Sequence, residues 1–229
     1  MHEKLPHTSQ QPFRTALARF CIVFIFSIAF AYIEAAVVVY LRTIFYPEGF
    51  TFPLTGFAMS PLWKQLLLTE IGREAATLVV ILTGAWLVGR NLRQQFACLL
   101  VIFAVWDIFY YVWLKALINW PASIMDWDIL FLIPVAWASP VLAPVLVSLT
   151  LLLFAMAILY RDATARPIKA TLTDWLAFVV ASLFLVVSFC LAGRHISEPG
   201  YDSHFSWLLF ALGYLSAVAL FLKCLLKSR

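Results

Sequence analysis

Charged residues are scarce in this chain. Asp, Glu, Lys and Arg together make up 12% of its 229 residues, whereas 64% of the residues are hydrophobic. A domain of this length cannot hide so much apolar surface in one core, so a soluble globular protein is excluded. The composition predicts a protein whose main partner is the lipid bilayer. The small net charge of +4 gathers at one side of the membrane and does not indicate a nucleic-acid partner.

Common catalytic and cofactor-binding motifs are also missing. The sequence has no Gly-x-Ser-x-Gly, no His-Glu-x-x-His and no P-loop, which excludes the usual hydrolase and nucleotide-binding signatures. The four cysteines lie in hydrophobic runs without Cys-x-x-Cys spacing, so neither a disulfide framework nor a zinc knuckle is indicated. The histidines lie outside these runs, which argues against a haem held between helices. No motif therefore identifies a reaction or a cofactor.

Long hydrophobic runs are what the sequence has instead. Six of them approach the 20 or so residues that a helix needs to cross a bilayer. The predicted fold is therefore all-α, a polytopic membrane protein with six transmembrane helices in one domain, residues 1–229, behind an N-terminal tail, residues 1–16. The spans are predicted at residues 20–41, 66–88, 96–118, 140–160, 175–192 and 207–226.

Basic residues mark alternate loops, and such loops remain cytoplasmic. The opposite loops carry only Arg42 and Arg194 at their ends, and one of them holds Asp126 and Asp128. Both termini are therefore predicted to be cytoplasmic. The basic residues on that side are Lys4, Arg14, Arg19, Arg90, Arg93, Arg161, Arg166, Lys169, Lys223, Lys227 and Arg229.

Five ionisable side chains lie inside the predicted spans. A charged group near a helix centre costs about 2.5 to 3.5 kcal/mol on insertion scales, so these groups must satisfy one another. A helical rise of about 1.5 Å per residue puts the four carboxylates about 6 to 17 Å below the outer surface. We expect them to meet in the outer half of the membrane. The five residues are Glu34, Glu70, Arg73, Glu74 and Asp107.

The spacing of these residues indicates which way they face. On the second span, Glu70, Arg73 and Glu74 recur at i, i+3 and i+4, which places them on one stripe that must face the bundle interior. On the third span, Tyr111 stands one helical turn from Asp107. Candidate catalytic residues are Glu70, Arg73, Glu74, Asp107 and Tyr111; candidate metal ligands are Glu34, Glu70, Glu74 and Asp107.

The predicted cluster has too few positive charges. Four carboxylates against Arg73 leave a formal charge of minus three, which a site of low dielectric cannot hold without protons or cations. Carboxylates suit hard divalent cations such as Mg, Mn or Ca. The alternative is that Arg73 pairs with one Glu and protonated carboxyl groups hold the helices together. His195 and His204, at the ends of an outer loop, are interpreted as solvated rather than as further ligands.

The segment before the fourth span is interrupted by proline. Residues 129–160 are apolar throughout, which would make a helix about 48 Å long, yet Pro134, Pro140 and Pro144 lie within them. We predict a short interfacial or re-entrant piece at residues 129–138, followed by a helix with Ser139 as its N-cap and Pro140 as its first residue. A single proline-kinked helix is the alternative.

Part of the chain resembles a known group of sequences. The strings YIEAAVVVYLR, EIGREAATLVV, WDIFYYVWLK and WDILFLIPVAWASPVLAPV resemble a group of bacterial multi-pass membrane proteins without an assigned activity, over residues 32–147. The resemblance implies a bacterial inner membrane. It implies nothing about mechanism.

These patterns lead to one functional hypothesis and two rivals. The hypothesis is an outward-facing carboxylate pocket that binds a divalent cation in a membrane-embedded enzyme acting on a small or lipid-linked substrate. One rival is a proton- or cation-coupled transporter, which needs a homo-oligomer to complete its pathway because the inner halves of the spans lack acidic residues. The other is an assembly subunit whose buried ion pairs fix helix register.

Overall fold

The computed structural model describes residues 11–54 and 63–227. Within these residues 74% of the structure is helical, and all six long helices are long and apolar enough to cross a membrane. The predicted six-helix membrane fold is confirmed. The helices are α1, Gln11–Phe45; α2, Trp63–Val88; α3, Leu92–Ile118; α4, Leu142–Ala163; α5, Leu172–Gly193; and α6, Trp207–Lys227.

Helix α1 begins earlier than expected. It starts at Gln11, inside the segment predicted as a tail, while residues 1–10, with His2, His7 and Lys4, lie outside the described residues. The single-domain prediction is not tested by these observations.

Helix α3 lies at the centre of the bundle. It packs against α1, α2 and α4, whereas α5 packs mainly against α6. Small side chains on α1 allow it to approach α3 closely. Ser27 and Ala31 are fully buried, and Glu34 on the same face of α1 is largely buried. The core on this side includes Ile81 and Ile102, each 1% exposed. The polar face of α1 is therefore inside the bundle.

The segment between α3 and α4 forms a β-hairpin. Strands β1, Trp127–Phe131, and β2, Trp137–Pro140, pair antiparallel with Asp128 opposite Ser139. The strand pairing satisfies the backbone N–H and C=O groups that an irregular segment would leave unpaired at this depth. We call the end of the bundle that carries this hairpin the hairpin end.

The hairpin corrects the predicted start of α4. Val141, not Ser139, is the N-cap, and no side chain caps the helix, which begins at Leu142. The Ser139 hydroxyl instead donates a hydrogen bond to the Pro140 carbonyl at 3.0 Å. The N-cap prediction was wrong because Ser139 and Pro140 belong to strand β2. Pro144 lies in the first turn of α4, where its missing N–H costs no hydrogen bond.

A glycine fixes the hairpin against α5. At the C-terminal end of α5, a Cβ added to Gly193 would stand 1.8 Å from the Ala136 carbonyl oxygen. Only glycine allows this approach of two backbones. The hairpin is thereby held between α3 on one side and α5 on the other.

Candidate functional site

Arg73 holds two carboxylates from different helices. Its Nε donates to Glu70 Oε2 at 2.9 Å, and its two terminal nitrogens donate to Glu70 Oε1 and to Glu34 Oε1. The Thr77 hydroxyl contacts Glu34 Oε2 at 3.4 Å. The α2 stripe thus faces α1, as its spacing predicts, and its cation is shared between two acids.

Glu74 has a different hydrogen-bond partner. Both of its carboxylate oxygens accept from the Leu132 N–H of the hairpin, at 2.8 and 3.1 Å. Glu74 is 6% exposed. The hydrogen bond joins α2 to the turn of the hairpin, so this carboxylate also positions the hairpin over the bundle.

Asp107 lies between α3 and α4. Its Oδ2 accepts a hydrogen bond of 2.8 Å from the Ser148 hydroxyl. Tyr111, one turn further along α3, is buried with its ring 4.9 Å from that of Tyr110. These groups form a second polar wall, separate from the one around Arg73.

A second buried ion pair was missed by sequence reasoning. Arg42 donates to Asp128 Oδ1 at 2.9 Å, and the two side chains are 8% and 3% exposed. The Arg42 guanidinium stands between the rings of Phe50 and Trp120, at 4.0 and 3.8 Å from their centroids. An arginine at the outer end of a span departs from the positive-inside pattern, and that departure was the available signal.

Asp128 is a buried acid that accepts further hydrogen bonds besides the one from Arg42. Tyr110 donates to its Oδ2 at 3.2 Å, and the Ile129 N–H donates to its Oδ1 at 2.9 Å. Burial raises the pKa of Asp128, and this effect exceeds the opposing effects of Arg42 and of the two hydrogen bonds. Asp107 is close enough to interact with it electrostatically.

The charged groups described above line one cavity together with Tyr110, Tyr111 and Ser148. It has a volume of about 480 Å³, and its walls are otherwise mainly aromatic and aliphatic, with Phe103 and Trp106 on α3 and Phe131 on the hairpin among them. The helical lining residues come from α1 to α5 and lie towards the hairpin end or near the middle of each helix. The loops after α1 and α5 close the cavity together, because the Leu54 N–H donates to the Ile196 carbonyl at 2.8 Å. Ion pairs and apolar walls therefore belong to a single cavity.

The cavity has an excess of negative charge. Its described lining contains five carboxylates, Glu34, Glu70, Glu74, Asp107 and Asp128, against the two guanidiniums of Arg42 and Arg73. The formal excess is three negative charges. The Arg42–Asp128 pair adds one positive and one negative formal charge. The excess of three negative charges predicted from the sequence is therefore unchanged.

Several buried donors around the cavity have no acceptor among the described residues. They are Nε and Nη1 of Arg42, the hydroxyl of Tyr46, and the indole nitrogens of Trp106 and Trp137. All four residues line the cavity. A buried donor without a partner costs about 1 to 3 kcal/mol, so native proteins rarely retain several in one place. Their grouping marks a part of the cavity that needs acceptors besides those of the described residues.

The four predicted metal ligands share the cavity without meeting at one point. Glu34 and Glu70 flank Arg73, whereas Glu74 faces the hairpin and Asp107 faces α4. Among the described residues, the group with three potential ligand atoms within 4.8 Å of one another is a different one, His195, Glu198 and His204. The carboxylates can surround a ligand but do not gather around a single ion position.

Comparison with models of protein families, with curated proteins and with solved structures finds no match. The chemistry of the cavity therefore has to be inferred from its own residues. What those residues establish together is a multi-pass membrane protein with a mainly apolar cavity, several of whose buried polar groups have no partner among the described residues.

Proposed function

We propose that this protein is a membrane-embedded receptor or enzyme for a small or lipid-linked molecule, whose polar group enters the cavity together with positive charge. The observation that carries the proposal is the combination, around one cavity, of three excess negative charges and buried donors without acceptors. A ligand with oxygen acceptors and a cationic group meets both needs. The cation is either an amine of the ligand or a divalent ion bound with it.

The size and the walls of the cavity support this class of ligand. A volume of about 480 Å³ falls within the range of roughly 300 to 1,000 Å³ that is usual for small-molecule sites. Mainly apolar walls with a few placed polar groups suit an amphiphilic molecule better than a hydrated ion. The spread of the carboxylates over separate walls likewise favours a ligand larger than a bare cation.

Two carboxylates are the main candidates for contact with the positive charge. Among the described residues, neither Glu74 nor Asp107 is hydrogen-bonded to a guanidinium, whereas Glu34, Glu70 and Asp128 are. Glu74 and Asp107 are thus the acids whose charge is least compensated by the protein. Tyr111 beside Asp107 is the candidate proton donor if the bound molecule is chemically altered.

The two rival functions are less well supported. A transporter needs access from both sides of the membrane, yet α1 to α5 line the cavity with residues near their hairpin ends or their middles and not with their opposite ends. A purely structural cluster accounts for the Arg73 pairs, because they join α1 to α2. It does not account for several buried donors without acceptors.

Native mass spectrometry of the detergent-purified protein tests the proposal, with elemental analysis of the same sample. We expect the wild type to carry an amphiphilic molecule in near-stoichiometric amount, and Glu74→Gln and Asp107→Asn to lose it. If elemental analysis finds a divalent metal that leaves with the molecule, the charge is an ion; if it finds none, the charge belongs to the molecule.

Glu48→Gln is the matched control, because Glu48 is an exposed acid near the same end of the bundle and does not line the cavity. It should retain the molecule at the wild-type level. A wild type that carries neither amphiphile nor metal, with a fold unchanged in Asp107→Asn and Glu74→Gln, would favour the assembly-subunit hypothesis instead.

We further propose that the chain lies in the inner membrane of a bacterium with both termini in the cytoplasm. The support is the distribution of Lys and Arg over alternate loops. A fluorescent-protein fusion at residue 229 should fluoresce, and an alkaline phosphatase fusion at the same place should be inactive. The reverse result would place the cavity on the cytoplasmic side.

A further inference from the structure

The loop after α5 brings three metal-ligating side chains together outside the cavity. One potential ligand atom from each of His195, Glu198 and His204 lies within 4.8 Å of the other two. The two imidazole rings stack with centroids 3.8 Å apart and planes inclined by 13°, so one ring has to rotate for both rings to direct a nitrogen lone pair at the same ion. His195 Nδ1 and Glu198 Oε2 are 2.8 Å apart. Eight residues lie between the two histidines in sequence, so the path of the loop and not helical spacing brings them together.

The loop that carries these side chains is anchored at several points. The Ile196 carbonyl accepts from the Leu54 N–H, and the Tyr201 ring lies 5.2 Å from Phe52 and 5.0 Å from Trp127. Phe205, next to the second histidine, is 4% exposed. Anchors therefore flank both histidines, which reduces the ordering cost of bringing the ligands together.

The backbone between the anchors is a series of tight turns. The Glu198 N–H donates to the His195 carbonyl at 2.9 Å, and the Tyr201 N–H donates to the Glu198 carbonyl at 3.2 Å. Gly200 takes a φ of +81°, a left-handed conformation that glycine adopts without strain. This path turns the chain back so that His204 reaches His195.

From this geometry we propose that His195, Glu198 and His204 form a binding site for a divalent transition metal of the zinc class. Two imidazoles and one carboxylate are a ligand set that suits zinc, and three protein ligands leave a position for water or for a further group. Magnesium and calcium prefer an all-oxygen set, so this site discriminates against the ions that suit the carboxylates of the cavity.

The site also bears on the cavity, although it does not depend on the function proposed for it. Ile196 and Ser197, which lie between two of the ligands, are part of the cavity lining. A metal bound to His195 and Glu198 fixes the stretch of chain that closes the cavity on this side. Metal binding is thus expected to slow amide hydrogen exchange over residues 194–205.

Isothermal titration of untagged, detergent-purified protein with ZnCl2 tests the proposal. The wild type should bind one equivalent that His195→Ala/His204→Ala loses, while the background from His2 and His7 is the same in both. Glu198→Gln should weaken binding by about 10- to 100-fold, whether its carboxylate binds the metal or orients His195. MgCl2 should not compete.

Asp202→Asn is the matched control, because Asp202 is an exposed acid of the same loop outside the ligand group. It should bind zinc as the wild type does. Zinc X-ray absorption of the wild type gives a readout without mutation and should show two imidazole nitrogens at about 2.0–2.1 Å.

Two results would overturn the site. One is unchanged zinc stoichiometry and affinity in the double histidine variant, whose melting temperature without zinc reports whether it has folded. The other is an absorption spectrum without imidazole ligands. If the double variant does not fold, His204→Asn alone should still weaken zinc binding by about 100-fold or more, since it removes a direct ligand. Retention of the amphiphile by these variants would show that the cavity is independent of the metal.

Discussion

Ion pairs at the two ends of the bundle are built differently. At the end opposite the hairpin, Arg93 pairs with Asp162 at 3.0 Å and Lys223 pairs with Asp174 at 2.9 Å, and the two cations are 53% and 61% exposed. At the hairpin end, Arg42 and Arg73 are 8% and 21% exposed and face a cavity. The first set lies at helix ends in contact with polar surroundings, and the second set lies among apolar walls.

The hydrogen bonds of the two sets differ as well. Asp174 completes a capping box with Thr171, and Asp162 also accepts from the Gln94 side chain at 2.8 Å. These acids secure helix ends, and their partners are local or on the adjacent helix. At the hairpin end, Arg42 retains two donor nitrogens without an acceptor among the described residues. The comparison contrasts acids that secure helix ends with a guanidinium that lines a cavity.

The largest expected effect is that of Arg73→Ala. Removing the guanidinium leaves Glu34 and Glu70 buried without their cation, which should lower the free energy of unfolding by about 3–5 kcal/mol. Denaturant unfolding in detergent micelles, followed by tryptophan fluorescence, measures the change. Replacing both acids with Gln in the Arg73→Ala background should restore part of the loss. An unchanged stability would mean that the hairpin-end pairs resemble those at the other end.

At the hairpin end, the raised pKa of Asp128 should make the free energy of unfolding depend on pH. The raised pKa means that the folded protein keeps this proton at pH values where the unfolded chain has lost it. The free energy of unfolding therefore falls as pH rises from about 3.9 towards the raised pKa, and it is constant above that. The fall is about 1.4 kcal/mol for each unit by which the pKa is raised.

Asp128→Asn isolates this contribution, because the other acids remain in both proteins. The charged and titratable groups that act on Asp128 are Arg42, Asp107, Tyr110 and Tyr111. Unfolding curves at a series of pH values should show a smaller fall for the variant than for the wild type. Identical pH profiles would contradict the assignment.

Tyr46→Phe tests the buried donors. Tyr46 carries a buried hydroxyl without an acceptor among the described residues, and burial raises its pKa. Removing that hydroxyl should raise the free energy of unfolding of ligand-free protein by about 1 kcal/mol, because an unpaired polar group is removed. The gain should disappear in samples that retain the bound molecule.

The control for Tyr46 is Tyr40→Phe, since Tyr40 is 65% exposed on α1. It should change stability by less than about 0.5 kcal/mol. A loss of stability in ligand-free Tyr46→Phe would show that the hydroxyl has a partner and would weaken the case for a ligand.

The smallest effect is expected for Arg93→Ala at the opposite end. The Arg93 side chain is 53% exposed, so loss of its pair with Asp162 should cost about 0.2–1 kcal/mol. Retention of the amphiphilic molecule, measured by native mass spectrometry, should be unchanged. If Arg93→Ala were as damaging as Arg73→Ala, the distinction between the two ends would fail.

The structure bears out the sequence where the argument rested on local periodicity. The six helices follow from apolar run length, and the inward face of α2 follows from the spacing of Glu70, Arg73 and Glu74. The hairpin was not predicted, because Pro134 and Pro140 were assigned to a helix break and strand pairing is a nonlocal property. The Arg42–Asp128 pair was missed because its members are far apart in sequence and lie in loops or helix ends.

By itself, the sequence determined the solvent and the secondary structure of this protein, because runs of apolar residues are stable only as helices in lipid and buried charges in such helices must face inward. Only the tertiary structure decided which charges meet. In the structure, Glu74 accepts a hydrogen bond from the hairpin and Asp107 accepts one from Ser148, while the ring of His204 stacks on that of His195. Hydrogen bonds and ligand sets depend on distances of a few ångströms between distant parts of the chain, and only packing fixes those distances.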